Sequence, residues 1–348
     1  MKIRNIITLG LAASVGFTLP AEAQEKKLEV RAFCVKKAKD DKKGKDNKKR
    51  KATKLSVVKI VSSPKAGTFM EQINADETKE VNIEKTYSVF YVETPKSLVA
   101  ALRLYAELDF AKALKDLSKV RKQLEDWAGL PEGPYLRAYR AEVECAVRSL
   151  KFEEAKKAVD ELAGSARKLL TPQDEVTGEA VQLLVSAQGT APAEMENKIK
   201  EIVQKYGKSI TPHQYGWLYY ALGVAYESTI PAEQLSSNAI SAEHQQNASK
   251  AIDAYCVAGI SSHGAHMELP VAGMKKAQRL LWAMPGVQAE VKAYGHPTPQ
   301  KFKKASQNFQ DAVTLAYMLI NVYGEEAAKD SPLAKAAAMY QNTKAKKK

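Results

Sequence analysis

Two spacings of apolar residues divide the chain near residue 94. Before it they recur at every second position. Residues 28–35 alternate loosely, residues 55–61 are rich in β-branched side chains, and residues 81–92 carry Ile83, Tyr87, Val89 and Tyr91 on one parity. Alternation of this kind puts one face of a strand in a core and the other in water. Three short strands are expected, forming a small sheet that needs a helical neighbour to be stable. Beyond residue 94 the spacing changes to three and four. Tyr219, Leu222, Gly223 and Tyr226 form one helical stripe; Ala251, Tyr255 and Ala258 form another. Phe302, Ala305, Phe309, Ala312, Ala316, Leu319 and Tyr323 form a third, long enough for a single helix.

The ends of these helices are signalled locally. Thr94-Pro95, Thr171-Pro172, Thr211-Pro212 and Thr298-Pro299 each open an apolar-periodic run. Threonine accepts a bond from an orphan amide there, and proline fills the first turn without losing a needed donor. Glycines 129, 164, 189, 207, 286 and 324 fall near the far ends, where a left-handed residue can close a helix. The expectation is a series of helices joined by short turns.

The stripes in residues 219–258 resemble the tetratricopeptide repeat (TPR). That family has an aromatic-x2-Leu-Gly-x2-Tyr first helix and an Ala-x3-aromatic second helix. Tyr219, Leu222, Gly223, Tyr226, Ala251, Tyr255 and Ala258 occupy the family's packing positions. The glycine is expected where a neighbouring backbone comes near. Leu108-Asp109-Phe110-Ala111-Lys112-Ala113 is similar to the family's turn and second helix, and Leu150-Lys151-Phe152-Glu153-Glu154-Ala155 repeats the pattern 42 residues later. Phe110, Ala113, Phe152 and Ala155 are the matching packing positions. First helices are expected over residues 95–107 and 134–149, and further pairs over roughly 172–206 and 212–260. Neither early hairpin carries the Leu-Gly pair, and 42 exceeds the family period of about 34 residues. The repeats are therefore irregular, with longer helices. The hairpin at Tyr219 is interrupted by a polar stretch around residues 236–246, which reads either as an insertion on a binding face or as a longer helix or surface loop. The C-terminal stripe reads as a cap on the repeat array, a partner-binding helix or a dimer seam.

Charge adds two appendages to this picture. The formal net charge is +13. Residues 36–54 hold eleven Lys or Arg against Asp40, Asp41 and Asp46, a net of +8. Lys344, Lys346, Lys347 and Lys348 add +4 and the first 23 residues add +1, so the remainder is close to neutral. A like-charge block cannot build a core. Lys42, Lys43, Lys45, Lys48, Lys49, Arg50 and Lys51 are the candidates for holding an acidic polymer or membrane surface. The absence of an aromatic residue to stack a base argues against nucleic acid. The N-terminus reads as a secretory leader: Lys2 and Arg4, an apolar run over 6–19, and Ala21-Glu22-Ala23 as a cleavage signal. An extracytoplasmic location, periplasmic or secreted, follows as an expectation. Cys34, Cys145 and Cys256 allow one disulfide at most, and each lies in an apolar pattern that suits a buried thiol.

Fragments of catalytic motifs occur without their partners. Gly207-Lys208-Ser209 lacks the upstream glycine of a phosphate loop and reads as a helix end. Ser165 and Lys168 have acylase spacing without the accompanying motifs. His263 and His266, with Glu268 nearby, have no second ligand pair. His244 and His296 have no recognisable partner.

The expected architecture is mainly α: an irregular TPR-like α-solenoid of antiparallel hairpins behind a small N-terminal β unit. The units are a leader over 1–23, the β unit over 24–93, helical repeats over 94–323, and a C-terminal helix and basic tail over 324–348. The resemblance implies a scaffold that holds a protein or peptide partner, the leader makes it an exported one, and the incomplete motifs give no expectation of an enzyme, a cofactor or a metal. His213, Trp217 and Tyr220 are the scaffold's candidate contacts. The alternative is an envelope protein that binds acidic glycan, lipopolysaccharide or lipid head groups through the lysine-rich loop.

Overall fold

A computed structural model describes residues 29–37, 55–261, 268–294 and 299–324. The leader, most of the lysine-rich segment, His263, His266, His296 and the tail from 325 onward lie outside the described residues.

The N-terminal unit is a five-stranded antiparallel sheet of order β4-β3-β2-β1-β5: β1 Val30–Lys36, β2 Ser56–Ser62, β3 Thr68–Gln72, β4 Thr78–Asn82 and β5 Tyr87–Val92. Two of these strands were not expected. β3 and β4 are short and polar, with only Phe69 and Val81 buried, so they lack a legible alternation. The expected third strand is also split. Asn82 caps a single turn, α1 Ile83–Thr86, by accepting from the Lys85 amide. This turn carries the chain from one edge of the sheet to the other. Outer strands of a flat five-stranded sheet lie about 19 Å apart, whereas one helical turn advances about 6 Å. The sheet must therefore curl, and it does. The Phe69 ring of β3 lies 5.3 Å from that of Phe90 on β5, although two strands separate them in the sheet order.

The rest is helical: α2 Lys96–Ala106, α3 Phe110–Gln123, α4 Pro134–Arg148, α5 Phe152–Asp160, α6 Gly164–Arg167, α7 Pro172–Ser186, α8 Pro192–Tyr206, α9 Pro212–Glu227, α10 Ala232–Ser236, α11 Gln245–Ser261, α12 Glu268–Ala283, α13 Val287–Tyr294, α14 Pro299–Lys304 and α15 Gln307–Tyr323. Sequential neighbours pack together: α2 on α3, α3 on α4, α4 on α5, α7 on α8 and on α9, α9 on α11, and α11 on α12. The protein is thus mainly helical with a small N-terminal antiparallel sheet. Among the described residues no helix is long and apolar enough to cross a membrane.

Local chemistry explains most of the helix ends. Thr171 and Thr211 each form a capping box, with Asp174 and Gln214 respectively. Thr94 does not cap: α2 starts from Pro95, and the Thr94 hydroxyl accepts from Arg137 Nη1 at 2.6 Å. α2 and α4 end in the same turn. Leu108 and Leu150 adopt left-handed backbones (φ 64° and 59°). The amides that follow, of Asp109 and Lys151, reach back to the Leu104 and Ala146 carbonyls. Those bonds satisfy the carbonyls a helix leaves orphaned. Gly207, Gly286 and Gly324 have positive φ as expected. Gly129 instead marks a close approach: a Cβ there would sit 2.4 Å from the Lys65 carbonyl oxygen.

That approach joins the sheet to the helices. The Gly129 amide donates to Ser63 O at 3.0 Å, the Ser63 amide to Asp126 O at 2.6 Å, and Trp127 Nε1 to Ile60 O at 3.1 Å. One hydrophobic cluster runs from Val30 of β1 through to Leu319 of α15, so the sheet is a layer on the first hairpins.

Two C-terminal expectations change in detail. The polar stretch after α9 forms α10 and a 3-10 turn and is packed down: Ile240 is buried, its amide donates to Ala283 O at 3.0 Å, and Gln288 Nε2 donates to Asn238 O at 2.7 Å. The long C-terminal stripe is two helices rather than one, because Ser306 caps α15 by accepting from the Phe309 amide. α15 packs on α12, and Tyr323 OH reaches Gly259 O at 2.9 Å.

Candidate functional site

An open groove lies between α3 and α5, above α4. The apolar face of α3, Phe110, Ala113, Leu114, Leu117 and Val120, is buried, which turns Lys115, Lys119 and Lys122 outward. α5 buries Ala155 and Ala158 and presents Lys151, Glu154 and Lys157, with Glu161 just beyond its end. The two walls enclose about 700 Å³, floored by Leu114, Ala158 and Glu142. That volume falls within the range of about 300–1,000 Å³ typical of ligand clefts.

A buried ion pair sets the floor. Arg121 Nε donates to Glu142 Oε2 at 2.5 Å, with both side chains nearly inaccessible at 4% and 6% exposure. The same guanidinium donates to Tyr135 OH at 3.4 Å and to Glu161 Oε2 at 3.2 Å. A buried charge is tolerated only when its partners are complete, and here they tie α3 to α4 and to the end of α5. The rim is different. Lys151 pairs with Glu154 and Lys157 with Glu161, whereas Lys115, Lys119 and Lys122 have no ion pair among the described residues. Their spacing on one helix face was legible in the sequence, but a near-neutral body charge averaged it away.

Of the residues that the resemblance assigns to packing, those of α9 and α11 lie buried or half-buried on facing helices. Gly223 faces Tyr255, and a Cβ at 223 would lie 2.6 Å from that ring; the close neighbour is an aromatic ring, not the backbone expected. Tyr226, Ala251, Tyr255 and Ala258 are buried, and Tyr219 and Leu222 are half-buried. Phe110, Ala113 and Ala155 are buried and Phe152 half-buried in their own hairpins.

The candidate contacts divide differently. Trp217 and Tyr220 are 4% and 5% exposed. Tyr220 packs edge-on against Tyr255 at 5.5 Å and against Phe152 at 5.9 Å, so it anchors the core instead of facing a partner. α9 is apolar nearly all round, so spacing alone could not separate its inner from its outer face. His213 lines a smaller cavity of about 240 Å³ with Trp217, Tyr139, Arg140 and Asp174. Lys42, Lys43, Lys45, Lys48, Lys49, Arg50 and Lys51 lie outside the described residues.

Two carboxylates form nodes that sequence reasoning missed. Glu227, buried at the end of α9, accepts from Tyr255 OH at 2.5 Å, from Lys276 Nζ at 2.7 Å and from Arg279. Burial opposes its charge, but Lys276, Tyr255 and Arg279 outweigh that and hold its pKa below the ordinary value. Asp174 is likewise buried and held low by the Arg140 fork, at 2.8 and 2.9 Å, and by Thr171. Both nodes join helices distant in sequence, so no local pattern announces them.

All three cysteines are free thiols. Burial pushes Cys145 up to about 12 and Cys256 up to about 11, which keeps both protonated and unreactive at neutral pH.

Comparison with family models, with curated proteins and with solved structures gave no match. The functional reading therefore rests on the groove and the hairpins alone.

Proposed function

We propose that the chain is an interaction scaffold, a TPR-like array whose helical body holds a protein or peptide partner outside the cytoplasm. The observation that carries this reading is the α3–α5 groove, a wide cleft with acidic and basic side chains on its walls and a buried, ion-paired floor. The recurrence of one turn geometry at Leu108 and Leu150 supports the repeat character of the two hairpins that build it. The test is amine-reactive cross-linking of the tagged full-length protein in its own cells, with and without residues 38–52. A discrete protein partner captured by both forms is expected; a protein that is never cross-linked to another chain contradicts the scaffold.

A second reading, adhesion to an anionic surface through the lysine-rich segment, has its own observation. Leu55, Val57, Val89 and Tyr91 are each more than half exposed. Val57 and Tyr91 flank Phe33 in register on the outer face of β2, β1 and β5. This apolar row spans the two strands that the segment connects, β1 and β2, and the neighbouring β5. Binding to phosphatidylglycerol vesicles that is lost on deleting residues 38–52 would favour this reading, and unchanged binding would reject it.

A further inference from the structure

We infer that the α3–α5 groove takes an extended polypeptide segment with carboxylates along one side, held by Lys115, Lys119 and Lys122. The inference rests on the scaffold reading and names the chemistry of its partner.

The two walls differ in charge. The α3 wall is uniformly basic and its three ammonium groups are exposed, with no ion-pair partner among the described residues. Along α3, Lys115 and Lys119 are about 6 Å apart and Lys119 and Lys122 about 4.5 Å. Same-side residues of an extended chain repeat at about 6.7 Å, so successive acidic side chains on one edge of a peptide come within reach of these lysines. The α5 wall alternates in sign through Lys151, Glu154, Lys157 and Glu161, and its lysines are engaged by its own glutamates.

That asymmetry separates a peptide from a uniform polyanion. An acidic glycan or a phosphate-rich polymer carries charge on every side, and the part facing α5 would meet a self-paired wall with no free cation among the described residues. A polypeptide can put carboxylates toward α3 and neutral side chains toward α5, while an apolar residue rests on Ala111, Leu114 and Ala158 at the floor. Charge left without a partner across an interface costs affinity, and such costs separate one ligand from another. The floor is pre-organised, because the Arg121–Glu142 pair is already satisfied without a ligand.

The test uses the full-length protein and a fluorescein-labelled eight-residue peptide of alternating Glu and Leu, followed by anisotropy. The variant reverses Lys115→Glu, Lys119→Glu and Lys122→Glu together. A control with the same charge change reverses the exposed Lys168, Lys200 and Lys208, which lie outside the groove. The expected result is a loss of roughly tenfold or more for the groove variant and little change for the control. A matching Lys-Leu peptide should bind the groove variant better than the wild type, a gain that misfolding cannot mimic. Equal weakening of variant and control overturns the proposal, as does failure of the wild type to bind the Glu-Leu peptide. Heparin binding tighter than the peptide, and lost in the groove variant alone, would make the site a polyanion site and also overturn it. Cross-linking in cells separates the two levels. A partner captured equally by wild type and groove variant leaves the scaffold standing and removes the groove as its site, whereas the absence of any partner removes the scaffold itself.

Discussion

Leu108 and Leu150 hold left-handed backbones that cost an L-residue about 1–2 kcal/mol each. They are 43% and 37% exposed, so their side chains return little of this through packing. Replacing either with glycine should raise stability by about 0.5–1 kcal/mol in urea unfolding, and a loss of that size would show that the side chains matter more than the backbone. Gly223 is the opposite case. Gly223→Ala improves helix propensity but drives a methyl into the Tyr255 ring, and a net loss of about 1–3 kcal/mol is expected. Glu227 links residue chemistry to pH. Its carboxyl is held below the ordinary 4.5, so it stabilises the fold fully above that value and ceases to as pH falls through the lower folded-state value. Asp174 acts in the same direction from its ordinary 3.8. Stability should therefore decline with acidification below about pH 4.5. Glu227→Gln should cost about 3 kcal/mol at neutral pH and flatten part of that decline, as read by thermal unfolding across pH. At this scale the sequence showed that Gly223 needed space but not what fills it, because Tyr255 approaches from a helix more than thirty residues away.

Elements were legible where their signals are local and obscure where tertiary packing decides. Thr171 and Thr211 marked helix starts correctly because a capping box needs only four residues. Thr94 carries the same dipeptide, yet its hydroxyl is taken by Arg137 of α4, a contact no local rule contains. Strands β3 and β4 escaped notice because each buries a single large residue. The break at Ser306 escaped because a helical stripe can continue across a one-residue cap. The joint between sheet and helices was invisible for a related reason: it is made by backbone groups of residues 63–67 and 126–129. Trp127→Phe removes the buried bond to Ile60 O and should destabilise by about 1–2 kcal/mol, with hydrogen exchange rising first in β2. Uniform exchange across all helices after that change would mean that the sheet and the helices unfold as one unit.

For the whole molecule, the division into a small β unit and a helical body was readable from the change of period near residue 94, since period two and period 3.6 are the strongest signals a chain carries. The groove was not readable, because it depends on α3 and α5 flanking α4. Total charge even pointed elsewhere: the two basic appendages dominate the sum, while three lysines on one helix face, without an ion pair among the described residues, leave no mark on a near-neutral body. What distinguishes the groove is arrangement, a basic wall facing a self-paired wall across a fixed floor. The role of the groove in holding a partner is read most directly from a map of which lysines become cross-linked to that partner when the intact protein is treated in its own cells with an amine-reactive reagent. Links concentrated on Lys115, Lys119, Lys122, Lys151 and Lys157 are predicted. Links confined to Lys42, Lys43, Lys45, Lys48, Lys49 and Lys51, or none to any other chain, would contradict it.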